Sequence, residues 1–243
     1  APATKIMYYL GTIFLFLVCI TGVYLVIKRH ESALYAFLLS FISLVFLINL
    51  LLYPDVYAPK HHYMPIANKL AQEFIITDGH IDVPWRLHKG GYEDLSVRTE
   101  GGDFDYVRAK AGGLDVPFMS IYVPATYQVT GGAKAMADEL IATVEKITID
   151  HPDKFEIAHN ISDAERIVSE GKIALPMGME NGAPLEGDLS NLKYFRKKGI
   201  SYITLTHSED NDICDSSYNL GERTHNGLSE FGIEVVKQMN RIG

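Results

Sequence analysis

The sequence predicts an α/β fold built on a parallel sheet, carried behind a pair of membrane-spanning helices. Two observations predict it. After residue 67, strand-like apolar segments alternate with segments of helical spacing, and parallel strands need a crossover that a helix usually supplies. Before it, two long runs carry no charged residue at all. The alternation fits either a doubly wound sheet or an eight-stranded barrel.

The uncharged runs are residues 6–27 and 33–53. Each is long enough to cross a bilayer, which takes about 20 apolar residues in a helix. Lys28-Arg29-His30-Glu31-Ser32 between them makes a charged turn, so the pair should form an antiparallel hairpin. A cleaved signal peptide is the alternative for the first run, but its apolar part is long for that purpose and no small-residue cleavage site follows. The positive-inside rule puts Lys28 and Arg29 in the cytoplasm and everything after residue 53 on the extracytoplasmic side, although Lys5, Lys60 and Lys69 weaken the asymmetry. Pro54, Pro59 and Pro65 punctuate a linker over 54–66, and a second domain is expected over 67–243.

In that domain the pattern predicts a strand over 74–83, a short helix over 106–110 and a strand over 114–122. Ala137, Leu140, Ile141, Val144 and Ile147 then recur at helical spacing, an apolar stripe suited to covering a sheet. Ser162 with Glu165 three residues on reads as a capping box opening a helix over 162–170. A strand over 173–179, a helix over 189–198, a strand over 202–207 and a helix over 230–242 complete the series, the last expected to lead into a fifth strand.

Composition narrows the function. A net charge of -8 disfavours nucleic acid, which is held by clustered Lys and Arg. With only two cysteines, Cys19 and Cys214, neither a disulfide framework nor a cysteine zinc site is available. The chain opens at Ala1-Pro2 and stops at Arg241-Ile242-Gly243 in what reads as a helix-to-strand turn, so both ends are expected to be cuts.

Three segments carry chemistry. In Asp78-Gly79-His80-Ile81-Asp82-Val83-Pro84-Trp85, the period of two sets His80 and Asp82 on one strand face, and both side-chain types are good zinc ligands. Such a triplet also arises by chance, Asp78 suits backbone N–H groups equally well, and Trp85 reads as a cap on the barrel end. In Leu175-Pro176-Met177-Gly178-Met179-Glu180-Asn181-Gly182 an apolar strand ends at a carboxylate, which is unfavourable unless paired or metal-bound. Glu180 is either a bridge between two metal ions or the acid before the next helix. In Tyr202-Ile203-Thr204-Leu205-Thr206-His207 a strand closes on His207, on the face of Ile203 and Leu205, as a functional group at a barrel mouth or as a satisfied core histidine. His61, His62, His88, His151, His159 and His225 are read as solvated.

Taken together these segments resemble the membrane dipeptidase family, the renal-dipeptidase-like metallopeptidases. Gly112-Gly113-Leu114 through Pro117-Phe118-Met119-Ser120 and Asn226-Gly227-Leu228-Ser229-Glu230-Phe231-Gly232 support the likeness, which covers residues 67–243. The resemblance implies an amidohydrolase-like (β/α)8 TIM barrel, of which this chain holds about the first half, with a binuclear zinc centre. His80 and Asp82 would hold one zinc, Glu180 would bridge both, and His207 would contact the substrate and steady the tetrahedral intermediate. Dipeptides are the implied substrates, in some members D-residue dipeptides or β-lactams as well. The family's two further zinc-binding histidines and catalytic aspartate would follow Gly243, so the fragment alone is expected to be inactive, and half a barrel to be aggregation-prone. Ile81 replaces a more usual Asn and Asn181 a more usual Gly, neither a ligand. Membrane lipid is the second expected partner, and a homodimer stays open. Two alternatives are a non-catalytic membrane-anchored barrel and a lactonase-like or phosphotriesterase-like hydrolase, but the latter sites usually open with His-x-His.

Overall fold

The computed structural model describes residues 63–243 together with Ile20 and Tyr24. Apart from those two positions, the expected hairpin over 6–27 and 33–53 lies outside the described residues, as do Cys19, His61, His62 and most of the expected linker. Among the described residues no helix is long and apolar enough to cross a membrane. The chain divides into two compact units, Ala1–Lys69 and Leu70–Gly243. Helix α1 (Met64–Glu73) starts inside the expected linker. Pro65 sits in its first turn, where a missing N–H has no partner to lose, so this proline opens a helix rather than marking a coil.

The second unit carries β1 (Ile76–Ile81), α2 (Val83–Gly90), α3 (Tyr106–Gly112), β2 (Leu114–Tyr122), α4 (Thr126–Thr130) and α5 (Ala133–Asp150). Then follow β3 (Phe155–Glu156), α6 (Ile161–Ser169), β4 (Ile173–Ala174), β5 (Met177–Glu180), a 3₁₀ turn (Ala183–Leu185), α7 (Ser190–Lys197), β6 (Ile200–Thr204) and α8 (Glu230–Ile242). One sheet runs β1-β2-β5-β6 with every pair parallel, and β3 pairs with β4 in a small parallel sheet beside it. The order never reverses among the described residues, whereas a doubly wound sheet turns back at a switch point.

The two faces of this sheet differ. Met119, Ile121, Met177 and Met179 are fully buried and join Ala137, Leu140, Ile141, Val144 and Ile147 of α5 in the main core. Ser120, Tyr122, Gly178, Glu180, Tyr202 and Thr204 alternate with them, and the pairing Ser120–Gly178–Tyr202 and Tyr122–Glu180–Thr204 gathers them on the other face.

Three local expectations are corrected. The strand over 173–179 is two strands, because Pro176 cannot extend a ladder; the segment pairs with β3 before it and with β2 after it. Helix α6 begins at Ile161 under Asn160, whose side chain accepts from Asp163 N at 2.9 Å, while Asp163 reaches back to His159 N at 3.0 Å. Asn caps at least as well as Ser, so Ser162 falls inside the helix. Strand β6 ends at Thr204, and residues 205–229 form a loop in which Cys214 is buried and bridges Leu228.

Candidate metal centre

The polar face ends in a cluster at the C-terminal rim of the strands. His80 Nε2 lies 3.1 Å from Glu180 Oε2 and 3.4 Å from Asp82 Oδ1, and His207 Nε2 lies 3.2 Å from Glu180 Oε1. One ligand atom each from His80, Asp82 and Glu180 falls within 4.8 Å of the other two. Two carboxylates and an imidazole turned on one another repel unless a proton or a cation lies among them. Nitrogen and oxygen donors of this kind suit zinc, so the donor set fits a metal.

Each residue reaches the rim by its own route. His80 comes from β1, where Asp78 pairs with Pro117 but Ile81 pairs with Met119, leaving one extra residue in the β1 strand. A bulge of this kind re-aims the side chain it carries. Asp78 accepts from His80 N at 3.0 Å, the backbone role open to it in the sequence. Asp82 is no longer in the strand: it occupies the N-cap of α2, with Pro84 behind it in the first turn. The strict alternation expected to pair it with His80 is therefore replaced by a strand-to-helix turn that brings it back to the same side.

Glu180 is the last residue of β5, and its Oε2 accepts the hydroxyl of fully buried Ser120 at 3.1 Å. The next residue, Asn181, is buried with φ 79°, a left-handed position that explains why glycine is also acceptable there. Its amide donates to Val123 O and its carbonyl accepts from Ala183 N and from Asn211 Nδ2, so it anchors the turn leaving the rim. The acid is thus a strand-end group, ten residues before α7, and caps no helix.

His207 does not share its face with Ile203 and Leu205 as the alternation predicted. Ile203 pairs with Met179 and packs with Leu205 on the helix-covered core. The chain leaves the strand at Thr204, and the loop returns His207 to the polar face, tied down by Ser216 Oγ donating to His207 O at 2.7 Å. Its ring meets Tyr122 edge-on at 5.1 Å, and Tyr122 meets Trp85 edge-on at 5.2 Å, forming an aromatic wall beside the cluster. His207 Nδ1 is buried without a hydrogen-bond partner among the described residues, an arrangement that costs stability rather than adding to it. Burial, then the charges of Glu180 and Asp82, pushes the Tyr122 phenol above its ordinary range. Burial, Glu180, Asp82 and Asp78 do the same to Tyr202.

Two of the histidines read as solvated are half-buried and paired: His151 with Asp94 at 2.9 Å, and His225 Nε2 with Asn211 O at 2.9 Å. Neither faces the cluster, and single-residue reading has no means to see partners that lie far off in sequence.

The membrane dipeptidase profile (Peptidase family M19) matches residues 64–243, the greater part of the chain. The chain belongs to the membrane dipeptidase family. It is 30% identical over 193 residues to dipeptidase verJ of Clonostachys rogersoniana, covering 73% of this chain and 49% of that protein. It is 28% identical over 192 residues to an uncharacterized dipeptidase of Schizosaccharomyces pombe, covering 73% and 46%. The chain thus spans about half the length of the curated relatives it matches. Among solved structures, the probable dipeptidase PvdM from Pseudomonas aeruginosa aligns with a TM-score of 0.66 at 26% identity, over 76% of this chain and 48% of that one. A metallo peptidase from Rhodobacter sphaeroides, liganded with a phosphinate mimic of the dipeptide L-Ala-D-Ala, shares the fold with a TM-score of 0.60 at 20% identity, over 70% and 56%.

In this member of the membrane dipeptidase family, sequence reading missed Ser120, Tyr122 and Tyr202. All three face the cluster from paired strand positions. One signal was available: counting back by twos from Glu180 reaches Gly178, a residue without a side chain, which implies that something larger crosses the strand there.

Proposed function

We propose that this chain builds the opening part of a metal-dependent dipeptidase site on a (β/α)8 barrel. The convergence of His80 Nε2, Asp82 Oδ1 and Glu180 Oε2 at one strand rim carries the reading. In it, His80 and Asp82 would hold one zinc ion and Glu180 would be shared with a second. Support comes from the carboxylate itself, which presents Oε2 to His80 and Oε1 to His207. The sheet order without reversal supports the barrel, since each strand is added on the same side.

When bound, the ions would supply a Lewis acid for the peptide carbonyl and an activated water. The chain's own residues do the rest. Ser120 steadies the bridging carboxylate. His207 donates an N–H toward the carbonyl oxygen as negative charge develops on it. Tyr122 and Trp85 wall off one side against solvent. Dipeptides are the substrate class, in keeping with the names of the relatives and the dipeptide mimic held by the Rhodobacter enzyme. Residues 6–27 and 33–53 are read as a lipid-embedded hairpin that tethers this site on the extracytoplasmic side.

Zinc titration of the chain against a chromophoric chelator tests the reading, together with Ala-Ala hydrolysis by the protein that carries this chain. Zinc binding that falls at least a hundredfold in His80→Ala and Glu180→Gln is the expected result. Binding that is indifferent to both substitutions, or absent in the protein that carries this chain, would end the reading of His80, Asp82 and Glu180 as a metal centre. Protease accessibility of residues after 69 in sealed vesicles, in one orientation only, tests the tether.

A further inference from the structure

The Tyr202 side chain starts on β6 and ends at β1, crossing the polar face over β5 and β2. Its hydroxyl donates to Gly79 O at 3.0 Å and lies 3.1 Å from His80 Nδ1. A hydroxyl has one proton to give, and a carbonyl oxygen can only accept. With that proton on Gly79 O, the contact with His80 is satisfied only when Nδ1 carries its own proton and donates to Tyr202 Oη. A neutral imidazole has a single N–H, so Nε2 is left with its lone pair, aimed at Glu180 and Asp82.

The path of the ring is cleared by the sequence. A Cβ on Gly178 would stand 2.0 Å from Tyr202 Cζ and 2.5 Å from its hydroxyl oxygen. The ring therefore lies directly on the β5 backbone, and Phe118 packs against it at 5.6 Å. The Gly79 carbonyl it reaches belongs to the bulged stretch of β1, where backbone groups leave the regular ladder.

We infer that Tyr202 is a positioning residue that fixes the tautomer and the aim of His80, so that Nε2 is the nitrogen offered to the metal, and that Gly178 is glycine to let it do so. This rests on the metal-centre reading above. A ligand histidine whose other nitrogen loses its partner typically binds metal 10- to 100-fold more weakly.

The test compares the chain with Tyr202→Phe, Gly178→Ala and His80→Ala, using zinc affinity by chelator competition, thermal midpoints, and nitrogen NMR of labelled histidine rings in the zinc-loaded state. The expected result is a zinc affinity lowered at least tenfold in Tyr202→Phe with little change in thermal midpoint. The His80 Nδ1–H signal should exchange slowly with solvent in the parent chain and fast in that variant. Gly178→Ala keeps the hydroxyl but displaces the ring, and should lower affinity in the same direction. If His80→Ala loses zinc while Tyr202→Phe keeps both the parent affinity and the slow Nδ1–H signal, the inference on Tyr202 fails and the metal centre stands. If His80→Ala binds zinc as the parent does, the metal centre fails and this inference falls with it.

Discussion

The Ser120 hydroxyl donates to Glu180 Oε2 at 3.1 Å, across β2 and β5, and the same oxygen lies 3.1 Å from His80 Nε2. Ser120 is fully buried, so no water replaces the hydroxyl when it is removed. Ser120→Ala should weaken zinc binding about tenfold and lower stability by about 1 kcal/mol. Chelator competition and thermal melts of the two proteins measure the pair of effects. A stability loss with unchanged affinity would mean that the bond holds the sheet and not the carboxylate.

Asn181 should be the least replaceable residue beside the cluster. Its left-handed backbone and its three hydrogen bonds, two of them buried, are separate contributions. Asn181→Ala loses both and should cost about 3 kcal/mol in urea unfolding. Asn181→Gly keeps the backbone freedom and loses only the bonds, so it should fall between Ala and the parent. A glycine variant as stable as the parent would show that the bonds contribute nothing, and an alanine variant as stable as the glycine one that the backbone does not.

Glu156 gives the fold an acid-dependent clasp. Hydrogen bonds from Arg166 and then Lys172 hold its carboxyl down at about 2, from an ordinary 4.5. A folded-state value below the unfolded one stabilises the native chain at pH above about 4.5, and that contribution is lost as pH falls through about 2. Because the group is partly exposed, its worth is about 1 kcal/mol at most. Glu156→Gln should therefore melt below the parent at pH 7, with the gap closing between pH 4.5 and the lowest pH at which the chain folds. A gap that widens on acidification would contradict this.

Leu140 is fully buried in the α5 stripe and Leu220 is 95% exposed in the loop after β6. Leu140→Ala should cost about 2–5 kcal/mol, and Leu220→Ala less than about 0.5 kcal/mol. Equal costs would mean that the stripe does not cover the sheet as described.

Much of the fold was legible because it depends on local period. Helix α8 and strand β2 have the bounds that spacing predicted, and the five-residue stripe of α5 is the one buried in the core. The family was legible from motifs that sit at or just past the ends of β1, β5 and β6. What stayed hidden depends on departures from period. The extra residue in β1, the split at Pro176 and the exit from β6 at Thr204 each alter which way a side chain points, and no repeat in the sequence marks them. Tyr202 was hidden for a further reason: its partners, Gly79 and His80, lie more than a hundred residues away and on a strand that is not its neighbour.

The Cys214 thiol is buried within the loop that also holds His207, and burial followed by the nearby charges of Asp215 and Asp210 raises its pKa. Shielding and a scarce thiolate both slow alkylation. Its labelling rate, read by mass spectrometry on the peptide that carries Cys214 so that Cys19 does not contribute, is thus a clock for how readily this buried stretch of the loop opens to solvent.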